Sequence, residues 1–192
     1  RLPNIGLLIL SAVGIWSRAP QLISYPRFWA EEGSRYVHYA LENGFWSTLF
    51  FLDPRAGYLD ITRHFSAGLA SLVPLVYAPY ITTLIAFSIQ LLACFIIIYG
   101  RSRLFNSYVK KGLGCLIVLF ASTVIDEVWL NTINSMTWYG LVGFLIAVER
   151  PSLISRPLVI FYRIVLTIGV LSGPYISMLV LVYGCIAIRE RT

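Results

Sequence analysis

Residues 80–100 form 21 consecutive positions without a charge, and a helix of that length crosses a hydrocarbon core of about 30 Å. Four other stretches are apolar: 4–16, 112–125, 131–148 and 158–188. The first three are short and need flanking polar residues or local bilayer thinning to span. The fourth is too long for one helix and is halved by the turn signal Ser172-Gly173-Pro174. The pattern predicts an all-α chain, a polytopic transmembrane helical bundle of about six spans. These lie near 4–24, 80–100, 112–128, 131–149, 157–172 and 174–189, in one membrane domain over 1–192.

Residues 17–79 break the hydrophobic pattern with five Arg, five acids and both histidines. Within them, 30–43 has helical composition and ends at Gly44. Tyr36, Val37, Ala40 and Leu41 fall on one side, and Glu32, Arg35, His38 and Glu42 on or near the other, as in an interfacial amphipathic helix. Phe45, Trp46, Phe50, Phe51 and Tyr58 add the aromatic density of a headgroup layer. A second helix is predicted over 59–73, too short and too polar at its start to span, lying on the outer leaflet or re-entering it. Juxtamembrane helices in the first outer loop are therefore expected.

Composition agrees with a bilayer as solvent: 58% of the 192 residues are hydrophobic and 12% charged, against about 25% charged in soluble domains. The net charge of +6 does not form a basic stripe with interleaved aromatics, so nucleic acid is not indicated. It marks topology instead. With the N-terminus cytoplasmic, ten basic residues and two acids fall inside, and five basic residues and seven acids outside, as the positive-inside rule requires. The chain starts without Met, and 2–16 lacks a small-residue cleavage site, so it reads as a first span and not a signal peptide. Cys94, Cys115 and Cys185 lie in apolar stretches without CxxC spacing, which indicates neither a disulfide framework nor zinc. No cofactor is expected; a divalent metal is left open, with no clear site for it indicated.

Three sets of residues are candidates for chemistry. Glu31 and Glu32, beside Phe28 and Trp29, are paired carboxylates whose partial desolvation suits a general base; acids in a first helical turn also simply complement the dipole. Arg55, Arg63 and His64, around Tyr58 and Asp60, offer donors for a phosphate or diphosphate on a lipid carrier. Headgroup contact or pairing with Asp53 and Asp60 is the plainer reading. Asp126 and Glu127, followed by Asn131, Asn134 and Trp138, sit at the outer end of a span, where ionisable groups are either functional or merely solvated. No nucleotide-binding loop, HExxH or nucleophile elbow is present.

Four motifs in order, Phe28-Trp29-Ala30-Glu31-Glu32-Gly33, Ala56-Gly57-Tyr58-Leu59 with Arg63, Asn131 and Asn134 ahead of Trp138, and Leu171-Ser172-Gly173-Pro174, resemble bacterial polytopic glycosyltransferases of the GT-C superfamily. The resemblance implies a polyprenyl-phosphate-linked sugar as donor, a surface glycan or lipid as acceptor, and a catalytic acid in the first outer loop. It further implies a bacterial inner membrane with the active side periplasmic. Where relatives carry Glu-Asp before the Gly, this chain has Glu31-Glu32, which leaves open which acid is the base. Arg63, with Arg55 or His64, would stabilise charge on the leaving phosphate. Relatives have more spans, so the resemblance implies either that the chain is an N-terminal part of a larger enzyme or that a partner subunit completes it. The competing reading is a non-catalytic scaffold, or a flippase or transporter subunit, that binds lipid-linked sugars; clean spans with charges at their ends argue against transport.

Overall fold

The computed structural model describes residues 2–121, 128–149 and 154–189. Their regular structure is helical, with no strand among the described residues. In chain order the helices are α1 (Leu2–Arg18), α2 (Pro20–Ser24), a π-helical turn (Glu32–Val37), α3 (His38–Leu49), α4 (Ile61–Ala70) and α5 (Ala78–Tyr99). Then come α6 (Tyr108–Phe120), α7 (Ser135–Ala147), α8 (Arg156–Val170), a 3₁₀ turn (Ser177–Leu179) and α9 (Val180–Arg189).

Helix α5 organises the rest. Its 22 residues rise about 33 Å, and Pro79 in its first turn fixes a helical start. Helices α1, α4, α6 and α7 all pack on it. Ile15, Ala93, Cys94, Ile97, Cys115 and Leu119 form part of one continuous core with Trp129, Trp138 and Val142. Among the described residues α5 alone is long and apolar enough to cross a membrane, while α1, α7 and the segment from Ser177 to Ile188 are shorter apolar helices. At 13 residues each, α6 and α7 span about 20 Å. Large apolar side chains remain exposed outside this core, including Ile5, Ile9, Val13, Leu113, Ile117 and Ile160.

The segment over 17–79 folds differently from its expected form. The helix predicted over 30–43 begins as a π turn and continues as α3 through Gly44, which takes φ 79° at a kink; only glycine holds that conformation without strain. The helix predicted over 59–73 is α4, and it does not lie on a surface. Ser66, Ala67, Gly68 and Ala70 are buried, and these small side chains let α3 and α5 close over it, with Ala40, Ala78 and Tyr36 completing a second small core. The turn expected at Gly173-Pro174 is present between α8 and α9, whereas the stretch expected to span from 131 becomes helical only at Ser135. Asp126 and Glu127 lie outside the described residues.

Candidate functional site

The two adjacent glutamates part company at a strained turn. Ala30 adopts φ 44°, and the Glu32 amide donates to the Trp29 carbonyl at 2.9 Å. Glu31 is left exposed while Glu32 is only 1% exposed. The Glu32 carboxylate accepts from the amides of Trp29 and Thr132, both at 3.2 Å, from the Thr82 hydroxyl at 3.2 Å, and from the Thr132 hydroxyl. It thereby ties the π turn to the start of α5 and to the segment before α7. Burial raises its pKa, and the hydrogen bonds from Thr132, Trp29 and Thr82 offset this only in part. The partner segment is strained too, with Leu130 at φ 52°; such outliers concentrate where surrounding structure over-determines the backbone. Gly33 lies so close to Phe28 that a Cβ would stand 2.6 Å from its ring, which explains glycine at this position.

A chain of alternating charges runs alongside. Asp60 caps α4 by accepting from the Arg63 amide at 3.0 Å, and its carboxylate pairs with the Arg63 guanidinium at 2.8 Å. Arg63 also donates to the Tyr36 hydroxyl at 2.5 Å, to the Tyr58 hydroxyl at 3.4 Å and to the Ile133 carbonyl at 3.3 Å. The Tyr36 hydroxyl in turn donates to Asp53 at 2.7 Å, and Asp53 also accepts from Arg35 and the Arg55 amide. Burial pushes Asp60 up to about 6 against the pull of Arg63. Burial also raises Asp53, but hydrogen bonds from Tyr36 and the Arg55 amide, with the charge of Arg35, prevail and hold it below the usual carboxylate value.

His64 stands apart within this network. It is 1% exposed, neither ring nitrogen has a hydrogen-bond partner among the described residues, and its neighbours are the rings of Tyr36 and Phe51 at 5.8 and 5.7 Å. Burial, helped by Arg63, lowers its pKa to about 4. Between pH 6.5 and 4 the unfolded chain therefore binds a proton that the folded chain refuses, and this contribution to stability is lost as pH falls through that window. His64→Phe, which fits the same aromatic surroundings without the titration, is expected to melt progressively higher than the native protein as pH drops from 7 to 4.5. Parallel melting curves for the two proteins across that range would refute the assignment.

Glu31, Arg35, His38, Glu42, Asp53 and Arg55 face an open cleft of about 480 Å³, with Tyr39 and Phe51 on its wall. Carboxylates, guanidinium groups and aromatic rings together are the donors, acceptors and stacking surfaces that a sugar phosphate requires. Of the residues singled out in the sequence, Glu31 and Arg55 reach this cleft. Tyr58, Asp60 and Arg63 lie in the buried network and His64 beside it. Asn131 is buried and accepts from the Asn134 amide at 2.9 Å, shaping the turn ahead of α7. Trp138 packs on Trp129 with ring centres 5.6 Å apart and donates to the Val128 carbonyl, a core position. Arg35, Tyr36 and Thr132 were not anticipated as site residues, and Asp53 only as an ion-pair partner. Among the described residues no three His, Cys, Asp or Glu side chains converge as metal ligands would. Comparisons with family models, with curated proteins and with solved structures return no match.

Proposed function

We propose that this chain is a membrane glycosyltransferase of GT-C type, moving a sugar from a polyprenyl-phosphate carrier to a glycan or lipid acceptor on the outer face of a bacterial inner membrane. The observation that carries the reading is the cleft itself, where a solvent-accessible carboxylate, Glu31, stands with Arg35 and Arg55 in one concavity. The bilayer setting draws support from α5 and from the exposed apolar faces of α1, α6 and α8. In this reading about six helical segments cross or enter the membrane, with the N-terminus cytoplasmic and a partner subunit supplying further spans.

The roles follow from position. Glu31 takes the proton of an acceptor hydroxyl as that oxygen bonds to the anomeric carbon with inversion. The carbon–oxygen bond to the carrier breaks, and its electron pair leaves on the phosphate. Arg55 and Arg35 hold that phosphate and offset its growing charge, an effect worth about 10²–10³ in rate for one well-placed donor. Glu32 and the Arg63 network fix the cleft walls and do not touch substrate. The test is transfer from a labelled polyprenyl-phosphate sugar by the purified protein in nanodiscs. Released carrier phosphate with labelled product is expected, and Arg55→Ala is expected to weaken donor binding about tenfold. Donor binding without turnover would favour a scaffold, and neither binding nor turnover would remove the lipid-linked donor altogether.

A further inference from the structure

At the opposite end of α5 from the cleft, three grooves meet at Arg101. One, of about 300 Å³, lies between Asn4, Ile5, Tyr99 and Lys111. A second, of about 240 Å³, runs past Ser102, Arg103 and Asn106, again to Lys111. The third, of about 430 Å³, descends between α5 and α8 along Phe95, Leu158 and Phe161. Arg101 is exposed. Lys111 is held in place by donating to the Ile98 carbonyl at the end of α5.

The charge at this end is lopsided. Arg101, Arg103, Lys110 and Lys111 fall within eleven positions of sequence, and none forms a side-chain ion pair with another described residue. The nearby Glu149 carboxylate is turned to the Arg101 backbone amide. Cationic side chains at the mouth and an aromatic, aliphatic trough beneath make a site for an amphipathic anion. A soluble phosphate would leave the Phe95–Phe161 trough empty, and a neutral lipid would bring no charge to a cluster of four cations that Glu149 offsets only in part.

We infer that Arg101 and Lys111 form a headgroup site for an anionic phospholipid of the inner leaflet, the phosphate resting between the two cations and one acyl chain in the groove of Phe95, Leu158 and Phe161. Basic pockets between helices on the cytoplasmic side bind acidic headgroups in this way. The inference rests on the membrane orientation proposed above and is independent of the glycosyl-transfer chemistry.

The experiment titrates delipidated protein in detergent with phosphatidylglycerol, phosphatidylcholine, short-chain phosphatidylglycerol and glycerol phosphate, counting bound molecules by native mass spectrometry. Phosphatidylglycerol is expected to bind preferentially. Arg101→Gln and Lys111→Gln should each weaken it roughly fivefold and the double variant roughly thirtyfold. Lys110→Gln, which removes the same charge one residue outside the grooves, should change it less than twofold. The single variants serve if the double variant does not fold, as melting in phosphatidylcholine nanodiscs will show. Native-like binding by the Arg101 and Lys111 variants, an equal loss in Lys110→Gln, or equal binding of glycerol phosphate would each overturn the site, whatever the outcome with sugar donors.

Discussion

Glu31→Gln is expected to lower sugar transfer by roughly 10²–10⁴-fold, the usual contribution of a positioned general base, while the fold stays intact. Glu31 is exposed on the cleft, so the substitution should move stability by less than about 0.5 kcal/mol. Glu32→Gln separates the two acids. Four hydrogen bonds converge on the Glu32 carboxylate, and a Gln amide turns an NH₂ group toward one of those donors, leaving buried polar groups unmatched at about 1–3 kcal/mol. The Glu32 variant should therefore lose stability first and activity as a consequence, and the Glu31 variant activity alone. Rates and melting temperatures measured on both give the comparison, and a Glu31→Gln protein with native turnover would remove that residue as the base.

Arg63→Ala should produce the largest loss of stability in the segment over 17–79. Its guanidinium serves a buried carboxylate, two tyrosine hydroxyls and a backbone carbonyl, and it stacks 4.6 Å from the centre of the Tyr36 ring. Removing one member of a buried ion pair strands the other, at about 3–5 kcal/mol. In a chain of this size each kcal/mol is worth about 2–4 °C, so a fall in melting temperature of roughly 10 °C is expected. Adding Asp60→Asn to Arg63→Ala should recover part of it, because the stranded charge is then gone. A single variant that melts within 2 °C of the native protein, or a double variant no better than the single, would contradict the network.

Much of the architecture was written in hydrophobic pattern. An uncharged run of α5's length has few alternatives, and Gly173-Pro174 announces a break whatever surrounds it. Other elements depended on side-chain contacts that no local pattern records. Asn131 accepts from the Asn134 amide, a local side-chain bond that competes with helix and delays α7 to Ser135. The polar start of α4, with Asp60, Arg63 and His64, points to a helix lying on a leaflet or re-entering it and gives no sign of how these side chains are buried. Arg63 and Asp60 satisfy each other locally, Tyr36 and Ile133 supply further acceptors for Arg63 from distant segments, and the small residues on the same helix favour burial.

The site was legible in part. Asp60 three residues before Arg63 is a cap and ion pair readable from spacing alone. The burial of Glu32 was not legible: helical spacing sets it with Arg35, His38 and Glu42 on the polar side, whereas the π turn over Glu32–Val37 places it with buried Tyr36 and Val37. What assigns its role, though, is Thr82 and Thr132, 50 and 100 residues away in sequence. Asp53 was noticed only as a possible partner for Arg55 or Arg63. Its standing in the cleft depends on Tyr36, whose hydroxyl joins it to Arg63.

The central proposition, that a lipid-linked sugar sits in the outer cleft, is tested most directly by photo-crosslinking. A polyprenyl-phosphate sugar bearing a diazirine on the sugar ring would be bound to the native protein in nanodiscs, irradiated and mapped by peptide mass spectrometry. Labels are expected within residues 31–42 and 51–55, competed by unlabelled donor and reduced in Arg55→Ala. Competable labelling confined to α6, α8 or the Arg101 end of α5, or no competable labelling at all, would contradict it.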